Sequence, residues 1–79
     1  PELHRAMKES ARRLREGANV KSAIAAGTAI IQQAGFNLDY LEVRHAETLQ
    51  PIAALKDGPM RMLVAARLGT TRLIDNIAV

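Results

Sequence analysis

Met60-Arg-Met-Leu-Val-Ala-Ala-Arg-Leu-Gly-Thr-Thr-Arg-Leu-Ile-Asp-Asn-Ile-Ala-Val79 decides the fold of this chain. It reads as a β-hairpin, with arms Met60 to Leu68 and Thr71 to Val79 around Gly69-Thr70. Glycine first in a two-residue loop favours a type II′ turn, whose twist matches that of the strands it joins. The loop pairs Leu68 with Thr71, Ala66 with Leu73, Val64 with Asp75 and Met62 with Ile77. Met60, Met62, Val64, Ala66 and Leu68 then share a face with Leu73, Ile77 and Val79. A slip of one residue would scatter that set, so the pattern itself supports the register. The opposite face mixes Leu63, Ala65 and Ile74 with Arg61, Arg67, Arg72 and Asn76. A sheet apolar on both faces is commonly covered on both.

Upstream of the hairpin lie two helical patterns. Leu3, Met7, Ala11 and Leu14 recur at steps of three and four and predict a helix over 2–16. Glu2 stands at its positive end and the arginines towards its negative end, the order the dipole favours. Gly17 suits the C-terminal cap. Asn19 is a good N-cap for a second helix over 20–34. Val20, Ala23, Ile24, Gly27, Ile30, Ile31 and Ala34 form its apolar stripe. Gly27 there costs about 1 kcal/mol relative to alanine, which a close helix crossing would offset. Gly35 fits the stop, and so short a connection predicts an antiparallel pair.

From Leu38 the period changes to two, giving a strand over 38–45. Strict alternation puts Leu41 and Val43 on one face and Leu38 and Tyr40 on the other. Ala46 to Gly58 is irregular: Pro51 breaks any long element, Thr48 to Leu55 has room for a helical turn, and Asp57-Gly58-Pro59 is a turn signal. The expectation is one α+β domain over 1–79, a helical hairpin packed on a three-stranded antiparallel sheet.

Composition narrows the function classes. A chain of 79 residues makes one domain and buries only roughly 60% of its unfolded surface, so contact with another domain would stabilise it. Its 48% hydrophobic content excludes a disordered tail. Phe36 and Tyr40 are the sole aromatics, which argues against base-stacking platforms. Without cysteine there are no disulfides or thiolate metal sites. No apolar run approaches the ~18 residues of a membrane span, and no signal-peptide pattern opens the chain. Starting at Pro1 and running straight into a helix, it reads as a piece of a longer protein. The net charge is +3, with Lys8, Arg12, Arg13 and Arg15 clustered in the first helix. That cluster suits nucleic acid or simply a solvated face; the scatter of the remaining charge favours the second.

Residues that could carry chemistry are few. Arg67 and Arg72 are directly opposed in the register, which is unfavourable. Either they hold an anion between two guanidiniums, or Glu42, Asp75 or a partner carboxylate sits between them. Asp75-Asn76 is poor strand sequence, and an ion pair of Asp75 with Arg44 or Arg72 would account for it. His45, at a strand end, lacks the orienting group and pocket that a general base needs; it reads as an exposed histidine. Glu42 projects opposite Asp39, and Glu47 lies beyond the strand, so these carboxylates do not converge. His4 and His45 have no ligand-spaced partner. Gly17, Gly27 and Gly35 are too far apart for a dinucleotide fingerprint. No catalytic, cofactor-binding or metal-binding residue is assigned.

Four segments in order carry a resemblance: Ala34-Gly-Phe36, Asp39-Tyr-Leu-Glu-Val-Arg-His-Ala-Glu-Thr-Leu49, Leu63-Val-Ala-Ala-Arg-Leu-Gly69 and Thr71-Arg-Leu-Ile-Asp-Asn-Ile77. They resemble the last third of bacterial pantothenate synthetases, with His45 where that family usually has aspartate. The resemblance implies the C-terminal lid domain of a cytoplasmic enzyme that joins pantoate to β-alanine, using ATP and Mg²⁺ through a pantoyl-adenylate. It implies, as partners, an N-terminal nucleotide-binding domain of the same chain and a homodimer, without nucleic acid or membrane. The family's His-x-Gly-His and Ser-Arg-Asn elements have no counterpart here, since His4 is followed by Arg5-Ala6-Met7. The fragment alone is therefore expected to be inactive and to bind no ATP. A different class stays open: a stand-alone oligomerisation or basic nucleic-acid-binding module.

Overall fold

Helix α1 runs Glu2–Arg15 and helix α2 Val20–Gln33, followed by strands β1, Asn37–His45, β2, Met60–Leu68, and β3, Thr71–Ala78. The structure is a computed structural model and describes residues 2–48 and 59–79. The break at Pro51, the expected helical turn and the Asp57-Gly58 signal lie, apart from Thr48 and Pro59, outside the described residues.

The caps act where sequence placed them. Asn19 Oδ1 accepts the Ser22 backbone N–H at 2.7 Å and starts α2. At the end of α1, Gly17 N–H reaches Leu14 O and Ala18 N–H reaches Arg13 O. The same pair of bonds recurs at Gly35 and Phe36, with Phe36 folded back into the core. Both endings are Schellman motifs, which satisfy carbonyls the helix leaves orphaned.

The helices cross closely at Gly27. A Cβ there would lie 2.1 Å from Ser10 Oγ, 2.9 Å from Leu41 Cδ2 and 3.4 Å from Ala6 O. Ser10 is fully buried and donates to Ala23 O at 2.8 Å, tying α1 to α2. The apolar stripe of α1 is accordingly wider than steps of three and four suggested, since Ala6 and Ser10 are buried with Leu3, Met7, Ala11 and Leu14.

The sheet order is β1-β2-β3, all antiparallel. The hairpin has the expected register, Leu68 opposite Thr71 through Met62 opposite Ile77. Gly69 has φ +62°, the left-handed conformation required of the first position in a primed turn. Met62, Val64 and Ala66 on the central strand are fully buried against the helices, together with Met7, Leu14 and Ile31. Each large side chain so buried contributes roughly 1.5–3 kcal/mol. The helices cover one face of the sheet only.

Strand β1 departs from strict alternation. Leu38 pairs with Ala66 and Tyr40 with Ala65, so Asp39 is an extra residue, a β-bulge. The bulge turns Leu38 onto the helix side, where it packs on the core beside the row of Leu41 and Val43. The expectation that Leu38 shares a face with Tyr40 is thus corrected.

Candidate functional site

The face of the sheet turned away from the helices is built in four cross-strand rows. Asn37, Arg67 and Arg72 form the row nearest the hairpin turn; then come Tyr40, Ala65 and Ile74; then Glu42, Leu63 and Asn76; then Arg44, Arg61 and Ala78. Its centre is apolar. Ala65 is fully buried although the helices lie on the other side, because its row neighbours flank it. Ile74 is 65% exposed, the most open large apolar side chain of those described. Tyr40, Glu42, Arg44 and Leu63 line a shallow depression of about 460 Å³.

The ends of this face are cationic. Arg67 and Arg72 are opposed as expected, and a carboxylate does lie between them. It is Asp39, not Glu42 or Asp75: Asp39 Oδ2 accepts from Arg72 Nε at 3.1 Å, and Oδ1 lies 3.4 Å from an Arg67 nitrogen. The bulge is the reason, since alternation alone would aim Asp39 away from both arginines and away from Glu42. A second opposed pair, Arg44 and Arg61, sits at the far end. Glu42 accepts from Arg44 Nε at 2.7 Å, and Arg61 Nε donates to Asn76 Oδ1 at 2.8 Å. Sequence reasoning missed this pair because the β1 register was not fixed by any turn.

Asp75 pairs with Val64 and so belongs to the helix side. The expected ion pair with Arg44 or Arg72 is overturned, because both arginines project from the other face. Asp75 Oδ2 instead lies 3.5 Å from His4 Nδ1 of α1, and its Oδ1 accepts the Asn76 backbone N–H at 2.8 Å. His45 is half-buried rather than exposed and lines a cavity of about 170 Å³ with Ala46, Glu47, Thr48 and Pro59.

The basic cluster of α1 borders a groove of about 600 Å³ against Ala26, Ala29 and Ile30 of α2. Its two central arginines, Arg12 and Arg13, are answered by carboxylates three or four residues away. Arg12 donates to Glu9 at 2.6 and 2.9 Å and to Glu16 at 2.8 Å, Arg13 donates to Glu9 at 2.9 Å, and Arg5 to Glu2 at 2.7 Å. The hydrogen bond from Arg12, joined by that from Arg13, pulls the Glu9 carboxyl down to about 2. This is a solvated, carboxylate-laced face, and the nucleic-acid reading gains nothing from it.

Among the described residues, no three of His, Cys, Asp or Glu gather where a metal ion would bind. None of their helices is long and apolar enough to cross a membrane.

The sequence pattern of pantoate–beta-alanine ligases matches residues 1–78. The chain belongs to the pantoate–beta-alanine ligase family. Over all 79 residues it is 62% identical to the pantothenate synthetase of Rhodopseudomonas palustris strain BisA53, and 66% identical to that of Bradyrhizobium sp. strain BTAi1. It spans 28% of the length of each. The fold agrees with a crystal structure of the Thermus thermophilus pantothenate synthetase at TM-score 0.86 and 34% identity, over 98% of this chain and 28% of that one. Against these ligases the open sheet face is the feature left to explain.

Proposed function

We propose that this chain is the C-terminal lid domain of a pantothenate synthetase, the ATP-dependent ligase that condenses pantoate with β-alanine through a pantoyl-adenylate. The observation that carries the reading is a match to the ligase family over nearly the whole chain that spans only 28% of the relatives, in a sequence with no phosphate-cradling loop of its own.

The division of labour follows from the residues present. Among the described residues no three of His, Cys, Asp or Glu gather in one place, and the one close carboxylate–imidazole pair, Asp75 with His4, is half-exposed on the helix side. In this reading ATP, Mg²⁺, pantoate and β-alanine belong to the remainder of the polypeptide, an N-terminal nucleotide-binding domain. What this domain supplies is a cover. An acyl adenylate is hydrolysed by water, and a domain that closes over it keeps water out until the amine attacks. The two-layer body suits that task, with its helices outside and its half-apolar sheet face turned to meet the site. The full enzyme is proposed to be cytoplasmic and homodimeric.

Two measurements test the reading. The full-length protein should restore growth of a pantothenate auxotroph, and loss of growth rescue would overturn the ligase assignment. The isolated chain should show no heat of ATP binding in calorimetry; micromolar affinity would overturn the assignment of the nucleotide to the other domain.

A further inference from the structure

The open face of the sheet has the anatomy of a protein interface, an apolar middle within a polar rim. Its middle is the row Tyr40, Ala65, Ile74 and the adjoining Leu63. Among the described residues its ends hold four arginines, Arg44, Arg61, Arg67 and Arg72, against two carboxylates, Asp39 and Glu42. The bulge directs one carboxylate between the guanidiniums of Arg67 and Arg72, which fixes both while leaving a surplus positive charge. Their side chains remain 57% and 50% exposed, so their outer N–H donors are presented to whatever meets the face. At the other end Arg61 is held by an uncharged amide oxygen.

We propose that this face docks on a surface of the same polypeptide, in the portion outside this chain, whose apolar centre is flanked by carboxylates at two points: one for Arg67 and Arg72, the other for Arg61. The points lie about 20 Å apart, six residues along β2 at roughly 3.3 Å each. The inference rests on the lid reading and deepens it, naming the chemistry that the lid recognises when it closes. The length of the relatives provides the occupant, since this chain spans only 28% of them. A second copy is a poor complement, because two such faces would set arginines against arginines. A nucleotide is a poor one as well, since small-molecule sites are concave and the arginines stand on an open sheet.

The test uses the full-length protein, followed by small-angle scattering and by the ATP consumed per pantothenate formed. In Arg67→Glu/Arg72→Glu the radius of gyration should rise, and ATP consumption per product should rise severalfold as unprotected adenylate is hydrolysed. High salt should expand the parent protein in the same direction, because exposed charge pairs are screened. Arg67→Lys/Arg72→Lys, which keeps the charge, should stay compact. Lys8→Glu/Arg15→Glu, an equal charge change on the helix side, should match the parent in both readouts. A charge-reversed protein as compact and as well coupled as the parent overturns the proposal. So does an ATP affinity that falls in Arg67→Glu/Arg72→Glu while the radius of gyration stays at the parent's, which would make the nucleotide's phosphates the occupant. A protein that makes no pantothenate yet expands on charge reversal keeps the docking surface and sinks the ligase reading, so the two fail separately.

Discussion

Asp39 is the residue on which the open face turns. It is the unpaired residue of the bulge, and its carboxylate is shared by two arginines that the hairpin register forces together. Asp39→Ala removes two exposed ion pairs, each worth under ~1 kcal/mol, and uncovers a like-charge pair that costs roughly 0.2–1 kcal/mol. The expected loss is about 1 kcal/mol, read as a lower urea midpoint, and it should shrink in about 1 M salt. Asp75→Ala should cost less, since Asp75 meets His4 at 3.5 Å across a half-exposed gap and its other bond is a local one, accepted from the backbone N–H of the next residue, Asn76. An Asp39→Ala midpoint equal to the parent's would show that the bridge stabilises nothing. The contrast also marks what single residues reveal in advance. That Arg67 needed a counter-charge followed from the two-residue turn alone. Which carboxylate answered it did not, because a bulge is one extra residue with no sequence cue of its own.

At the scale of elements, the helix pair rests on a contact between two small residues. Gly27→Ala would gain about 1 kcal/mol of helix propensity. The new methyl would meet Ser10 Oγ at 2.1 Å and Leu41 Cδ2 at 2.9 Å. Ser10 cannot simply rotate away, because its hydroxyl is bonded to Ala23 O. Overpacking of this kind costs ~1–3 kcal/mol, so the net change should be destabilising, about 1 kcal/mol. Combining it with Ser10→Ala should cost less than the two single changes together, since one atom is the obstacle. A thermal midpoint that rises in Gly27→Ala would mean the crossing is loose. Sequence marked Gly27 as a possible close approach but left two residues off the buried stripe: steps of three and four from Leu3 pass over Ala6, and a buried serine that bonds a carbonyl, Ser10, does not register on an apolarity criterion. Along the outer side of α1, Glu9 contributes to the acid response, as does Glu2, which Arg5 holds below the usual carboxylate range. The Glu9 carboxyl falls from 4.5 in the unfolded chain to about 2, so its contribution is present above 4.5 and is lost as pH falls towards 2. Glu9→Gln should flatten the pH dependence of the unfolding midpoint in that window. A profile superimposable on the parent's would show that Arg12 and Arg13 do not hold it.

The whole molecule is a thin two-layer body: one face of a three-stranded sheet is covered, and the other bears Ile74 in the open. Among the described residues no further strand pairs with the outer edges of β1 and β3, and β3 carries Leu73 and Ile74 at 38% and 65% exposure beside Leu68 at 48%. An exposed edge next to apolar side chains is a template for pairing with another chain. The 79-residue chain by itself should therefore self-associate at high concentration, and a two-fold pair is the simplest closed arrangement. The charge on the open face directs the contact to the β3 edge, because stacking two such faces opposes their arginines. Sedimentation should show dimer growing with concentration. Ile74→Lys, which places a charge at the edge, should weaken it, whereas Leu63→Lys, in the middle of the face, should not. A monomer at every concentration would refute the association. A dimer abolished by Leu63→Lys and indifferent to Ile74→Lys would move the contact from the edge to the face, and with it remove the argument that two copies repel there.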